Sequence, residues 1–145
     1  MLSNFWHSQF SLLDQEWPSA EHAYQYYQLF FLGFKAEAHN IQNASMTARE
    51  VKEYAKGIDK TVSSEQRAKW NAVRELVLQE LTCTKFSSTR VLLEYILSTH
   101  PKELLEDIFD LTWGYANGKG DNLCGKVLMR TRSTVCCWER PAPVV

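Results

Sequence analysis

No apolar run in this chain approaches the length of a bilayer. The longest, Leu29-Phe30-Phe31-Leu32-Gly33-Phe34, falls far short of the ~20 residues a spanning helix needs. No charged-then-apolar leader opens the sequence either, so the expected compartment is the cytosol or the nucleus and no membrane partner is expected. Positive charge is not in excess. Sixteen Lys and Arg stand against seventeen Asp and Glu, a net charge of -1, which leaves no basic footprint for sequence-independent binding to duplex DNA. A single nucleotide or a modified base stays open as a ligand. The four cysteines (Cys83, Cys124, Cys136, Cys137) include no Cys-x-x-Cys pair, which argues against a zinc knuckle or a secreted disulfide framework and for reduced thiols. His22 has no partner at metal-ligand spacing, so hydrogen-bonded structure is its expected role and no metal is expected. No internal repeat is visible, and neither nucleotide-binding glycine fingerprint is present.

What is there reads as one mainly helical domain. At 145 residues the chain is long enough to bury roughly 70% of its unfolded surface, and 45% hydrophobic with 23% charged residues is ordinary for a globular protein. Phe10 and Leu12 alternate with polar neighbours, Asp14-Gln15 suits a turn and Trp17 follows, which predicts a small N-terminal β-hairpin. Ser19 is placed to cap a helix over residues 20–34 that carries aromatics around most of its circumference. Thr47 and Glu50 have capping-box spacing, and Gly57 marks a stop. A longer helix is predicted over 65–86, with Trp70, Val73, Val77 and Leu81 along one face. Helices are expected over 88–99, 101–107 and 123–135, with a loop from Trp113 to Asn122 and a tail over 136–145. The domain is therefore expected over 1–135.

Two places look chemically useful. The aromatic helix holds Glu21, Gln25 and Gln28 at i, i+4 and i+7, a polar stripe that needs a polar partner. Glu21 lies in the first turn, where the helix dipole favours the anion and suits a base or a cation stabiliser better than an acid. Asp110 stands before Trp113-Gly114 at the entrance to the loop, whose glycines would let backbone amides approach phosphates. For each the bland alternative is a solvent-facing stripe or a turn cap. Phe5 and Trp70 are candidates to stack on a base, though Trp on a helical stripe is more often packing.

Leu2-Ser3-Asn4-Phe5, Trp17 through Gln25, Trp70 through Lys85-Phe86, Asp110-x-x-Trp113-Gly114, and Gly118 through Asn122 with Gly125-x-x-Leu128-Met129-x-x-Arg132 together resemble the NADAR (YbiA-like) family over nearly the whole chain. The resemblance implies a mainly helical domain that cleaves N-glycosidic bonds to ribose without a cofactor. Its implied substrates are riboflavin-pathway ribose phosphate intermediates or ADP-ribosylated guanine. It implies Glu21 and Asp110 as catalytic carboxylates, ties Trp70 to activity and puts Asn4, Trp113 and Asn122 around the pocket. Phe5, Gln28 and Gly114 join them as substrate-binding candidates. Where the family typically has a lysine, implicated as an amine nucleophile in the glycohydrolase branch, this chain has Gln28, and an amide forms no Schiff base. The alternative reading is therefore a module that binds ADP-ribose or a related nucleotide without turnover.

Overall fold

The computed structural model describes residues 1–139. Two strands and six helices follow in the order β1 (Phe10–Leu12), β2 (Gln15–Trp17), α1 (Ala20–Phe31), α2 (Lys35–Asn43), α3 (Ala48–Asp59), α4 (Ser64–Ser87), α5 (Arg90–Ser98) and α6 (Leu123–Glu139). They form two compact units, one of Ser3–Leu81 and one of Met1–Leu2 with the chain from Thr82 onward.

In the Ser3–Leu81 unit the hairpin pairs Phe10 with Trp17 and Leu12 with Gln15. Its turn is Leu13-Asp14, one residue earlier than expected, and both have positive φ (52° and 60°), as a two-residue type I′ connection requires. Ser19 caps α1 by accepting from the His22 amide. The helix stops at Phe31, short of the expected Phe34. Gly33 takes a left-handed φ of 94°, Phe34 N–H donates to the Leu29 carbonyl (2.9 Å) and Gly33 N–H to Phe30 (3.1 Å), the paired bonds of a Schellman ending. That turn releases the chain into α2, which no spacing signal foreshadowed. The Thr47–Glu50 capping box is present at the start of α3, and α3 runs past Gly57 to Asp59. The core gathers Phe10, Trp17, Tyr26, Leu29, Ile41, Val51 and Leu81, with Ala20, Ala23, Ala38 and Ala55 allowing close helix approach. Each large apolar side chain there contributes roughly 1.5–3 kcal/mol of burial.

In the other unit Phe86, Leu92, Ile96, Leu128 and Val135 form a second core, with α5 packed on α6. Thr89 caps α5. The helix expected from Pro101 to Asp107 does not form, because other groups take its backbone. Arg132 donates to the Lys102 carbonyl (2.9 Å), Asn122 donates to the Leu104 carbonyl (2.8 Å) and accepts from Glu106 N–H (3.0 Å), and Tyr115 N–H donates to the Glu106 carbonyl (2.7 Å). The last helix continues through Cys136-Cys137 to Glu139 rather than ending at Val135, so the tail expected from 136 begins inside α6, and Pro141-Ala142-Pro143 lies outside the described residues. No helix among the described residues is long and apolar enough to cross a membrane.

Candidate active site

The polar stripe of α1 finds its partner on α3. Glu21 is 5% exposed, accepts a hydrogen bond from Gln25 Nε2 (2.8 Å) and feels the charge of Lys52. Two turns along, Gln28 Nε2 donates to Asp59 Oδ1 (3.3 Å), a carboxylate also bound by Arg67 (2.9 Å). Burial pushes the Glu21 carboxyl above the ordinary carboxylate range, and the Gln25 bond and Lys52 offset only part of that shift. The sequence expectation rested on the helix dipole, an effect of roughly 0.3–1 kcal/mol, and desolvation outweighs it, so the carboxyl is shifted upward and not downward.

Asn4 ties the N-terminal segment to this helix, its carbonyl accepting from Glu21 N–H (3.0 Å). Phe5 follows it, with Lys52 Nζ 5.3 Å from the ring centroid. Phe5, Arg49, Lys52 and Glu53 line an open cleft of about 280 Å³. Trp70 is 3% exposed beneath Tyr24 (ring centroids 5.5 Å) and Phe31 (5.6 Å), so it is a packed wall and not an open stacking face. His22 is structural: Nε2–H donates to the Met46 carbonyl (2.8 Å), and Nδ1 pairs with the Ser19 hydroxyl (2.7 Å).

The Asp110 loop belongs to the other unit. Asp110 Oδ1 accepts from the amides of Thr112 (2.9 Å) and Trp113 (2.8 Å), an Asx turn that presents a half-buried Trp113. Asn117 and Gly118 (φ 52° and 76°) turn a two-residue hairpin closed by Ala116 and Lys119. Six of the loop amides expected near a phosphate are already bonded. The amides of Gly114, Tyr115, Ala116, Lys119, Asp121 and Asn122 all donate to carbonyls of the same unit. The glycines instead allow backbone to touch backbone: a Cβ at Gly114 would lie 2.3 Å from the Ile108 carbonyl oxygen, and one at Gly120 2.2 Å from that of Gly114. Asn122 is buried, and its amide is spent on Leu104 and Glu106. A second cleft of about 280 Å³ lies between Ile108–Leu111 and the turn at Ala116, Asn117 and Lys119.

Thus Asn4, Phe5, Glu21, Gln28 and Trp70 fall in the Ser3–Leu81 unit, and Asp110, Trp113, Gly114 and Asn122 in the other. Sequence reasoning missed Arg49 and Lys52. A usable signal was Arg49 itself, a cation in the first turn of a well-capped helix, where the dipole opposes it.

Fold and site together define a small, mainly helical protein with a buried carboxyl beside a cationic cleft. The NADAR domain family profile matches residues 1–136, and the chain belongs to that family. The match runs through both units. The NMR structure of YbiA from E. coli is similar in fold, with a TM-score of 0.78 and 22% identity over 99% of this chain and 83% of that one. No curated protein matches the chain by sequence.

Proposed function

We propose that this protein is an N-glycosidase that hydrolyses a ribosyl C1–N bond, on ADP-ribosylated guanine or on ribose phosphate intermediates of the riboflavin pathway. The observation that carries the reading is the buried Glu21 carboxyl, shifted upward by desolvation, held by Gln25 and within reach of the charge of Lys52. Protonated Glu21 gives its proton to the leaving nitrogen as the bond breaks and positive charge grows at C1. Asp110 is the other candidate carboxylate, and within its own unit the Asx turn fixes Oδ1 and leaves Oδ2 outside those two bonds. Water adds to C1, its proton passes to a carboxylate, and the products are the free base and a ribose hemiacetal. In the Ser3–Leu81 unit Phe5 is the substrate-contacting candidate, with Asn4 and Trp70 supporting that surface; Trp113, Gly114 and Asn122 are the candidates of the other unit.

Gln28 favours a second reading. Its amide is bonded to Asp59 and offers no amine, so a chemistry that requires an imine at this position is closed and a nucleotide-binding role would remain. Mass-resolved incubation of the pure protein with ADP-ribosylated guanine DNA and with aminopyrimidine ribose phosphates separates the two. Released base or sugar supports the hydrolase; retention of intact ligand without release supports the binding module.

A further inference from the structure

The loop after α5 holds apolar side chains outward. Ile108, Phe109 and Leu111 line one cleft with Ala116, Asn117 and Lys119, and Phe109 is 90% and Leu111 71% exposed. Their exposure is built into the backbone. The Asp110 carboxylate takes the amides of Thr112 and Trp113, its carbonyl takes that of Gly114 (2.8 Å), and the Leu111 carbonyl takes that of Asp121 (2.8 Å). Contiguous apolar surface of this kind marks an interaction site, unlike single exposed side chains. The loop is also acidic: between residues 101 and 122 five acids stand against two bases, Lys102 and Lys119, and Glu103, Asp107 and Asp110 are exposed. The outer face of α3 is its counterpart. Arg49, Lys52, Lys56 and Lys60 recur at i, i+3, i+7 and i+11, all exposed, with Glu53 the acid among them, and none of the four cations forms an ion pair among the described residues. Lys52 is engaged with Phe5 and Glu21, so Arg49, Lys56 and Lys60 are the cations that face outward uncommitted. Phe5 borders this ridge and Trp6 follows it, 41% and 49% exposed.

We infer that the Phe109 loop is a docking surface for a second copy of this chain, seated on the outer face of that copy's α3. The two surfaces match in kind. Each joins exposed apolar groups to charge, the loop carries the acids and the ridge the bases, and the minority charges, Lys119 and Glu53, are reversed in the same sense. Such complementarity steers two copies into one register. A net charge of -1 leaves no long-range repulsion to keep the copies apart. In a closed pair each copy gives its loop to the other's ridge, so the contact forms twice. The inference is independent of the hydrolase reading.

Sedimentation velocity of the full chain over roughly 1–300 μM tests this. Wild type should associate as concentration rises, and raising salt from about 0.05 to about 0.5 M should weaken the association several-fold. Phe109→Ser should weaken it by roughly tenfold or more. So should Glu103→Lys/Asp107→Lys and Arg49→Glu/Lys56→Glu, each chain on its own and each with an unchanged circular dichroism spectrum. An equimolar mixture of the two charge-reversed chains should associate again, because the basic loop of one then meets the acidic ridge of the other while the native loop and native ridge also meet. A wild type that stays monomeric at every concentration, its loop then serving a different partner, overturns the inference. So does association that persists unchanged in folded Phe109→Ser, or that the mixture fails to restore.

Discussion

Burial works against the charged forms of both Glu21 and Lys85. For Glu21 the folded carboxyl titrates above its unfolded value, so the native state holds its proton more tightly. The stability this group contributes is present below the ordinary carboxylate range and is lost as pH rises through the folded value. Glu21→Gln keeps an acceptor for Gln25 without the charge. Its melting temperature relative to wild type should therefore be more favourable at pH 7 than at pH 4, as thermal denaturation at the two pH values would show. Lys85 is 1% exposed, donates to the Met1 carbonyl (2.9 Å) and is pulled by desolvation to about 8. Here the unfolded chain binds the extra proton, so stability rises with pH between about 8 and the ordinary lysine range. The swing is at most of order 3 kcal/mol. Lys85→Met removes it, and chemical denaturation from pH 7.5 to 10 should show wild type gaining on the variant; parallel curves would refute the depressed ammonium. At Asp110, an asparagine keeps Oδ1 for the two amides and loses only the charge. Asp110→Asn should melt like wild type and lose turnover, whereas Asp110→Ala should also lose about 1 kcal/mol with the turn.

At the scale of elements, legibility followed the range of the signal. Capping residues act within one turn, so Ser19 and Thr47 could be read directly as the starts of α1 and α3. The end of α1 was hidden because Leu29 through Phe34 looks like one apolar run, and only the left-handed Gly33 breaks it. The segment after Pro101 has the composition of a helix start, yet Asn122, Arg132 and Tyr115, all distant in sequence, claim its backbone. No local pattern reports such competition. Glycines divide in the same way. Gly57 lies inside α3 with open space around its Cβ position, so Gly57→Ala should stabilise by roughly 0.5–1 kcal/mol. Gly120 combines a φ of 121° with the Gly114 carbonyl 2.2 Å from its Cβ position, so Gly120→Ala should cost about 2 kcal/mol or more. Urea melts of both variants measure the contrast, and a neutral Gly120→Ala would contradict the close loop packing.

Over the whole molecule, the helical class, the hairpin and the family could be read from the sequence because they rest on ordered motifs spread along the chain. The candidate site was legible only in part. Glu21, Asn4 and Phe5 sit on motif positions, but Arg49 and Lys52 acquire meaning only when the folding of α3 beside the N-terminal segment makes them walls of one cleft. The upward shift of Glu21 could not be read from the sequence for a related reason: helix position is local and visible, while desolvation is set by the packing of the unit. The central proposal is that Glu21 supplies chemistry and not stability. It is tested most directly by measuring base release from ADP-ribosylated guanine DNA and from aminopyrimidine ribose phosphates by mass spectrometry, with wild type and Glu21→Gln side by side at pH 7 and their melting temperatures recorded in parallel. Wild type should release base, the rate of the variant should fall by two orders of magnitude or more, and the melting temperature of the variant should equal or exceed that of wild type. Undiminished release by Glu21→Gln, or no release by wild type from either substrate class, would contradict it.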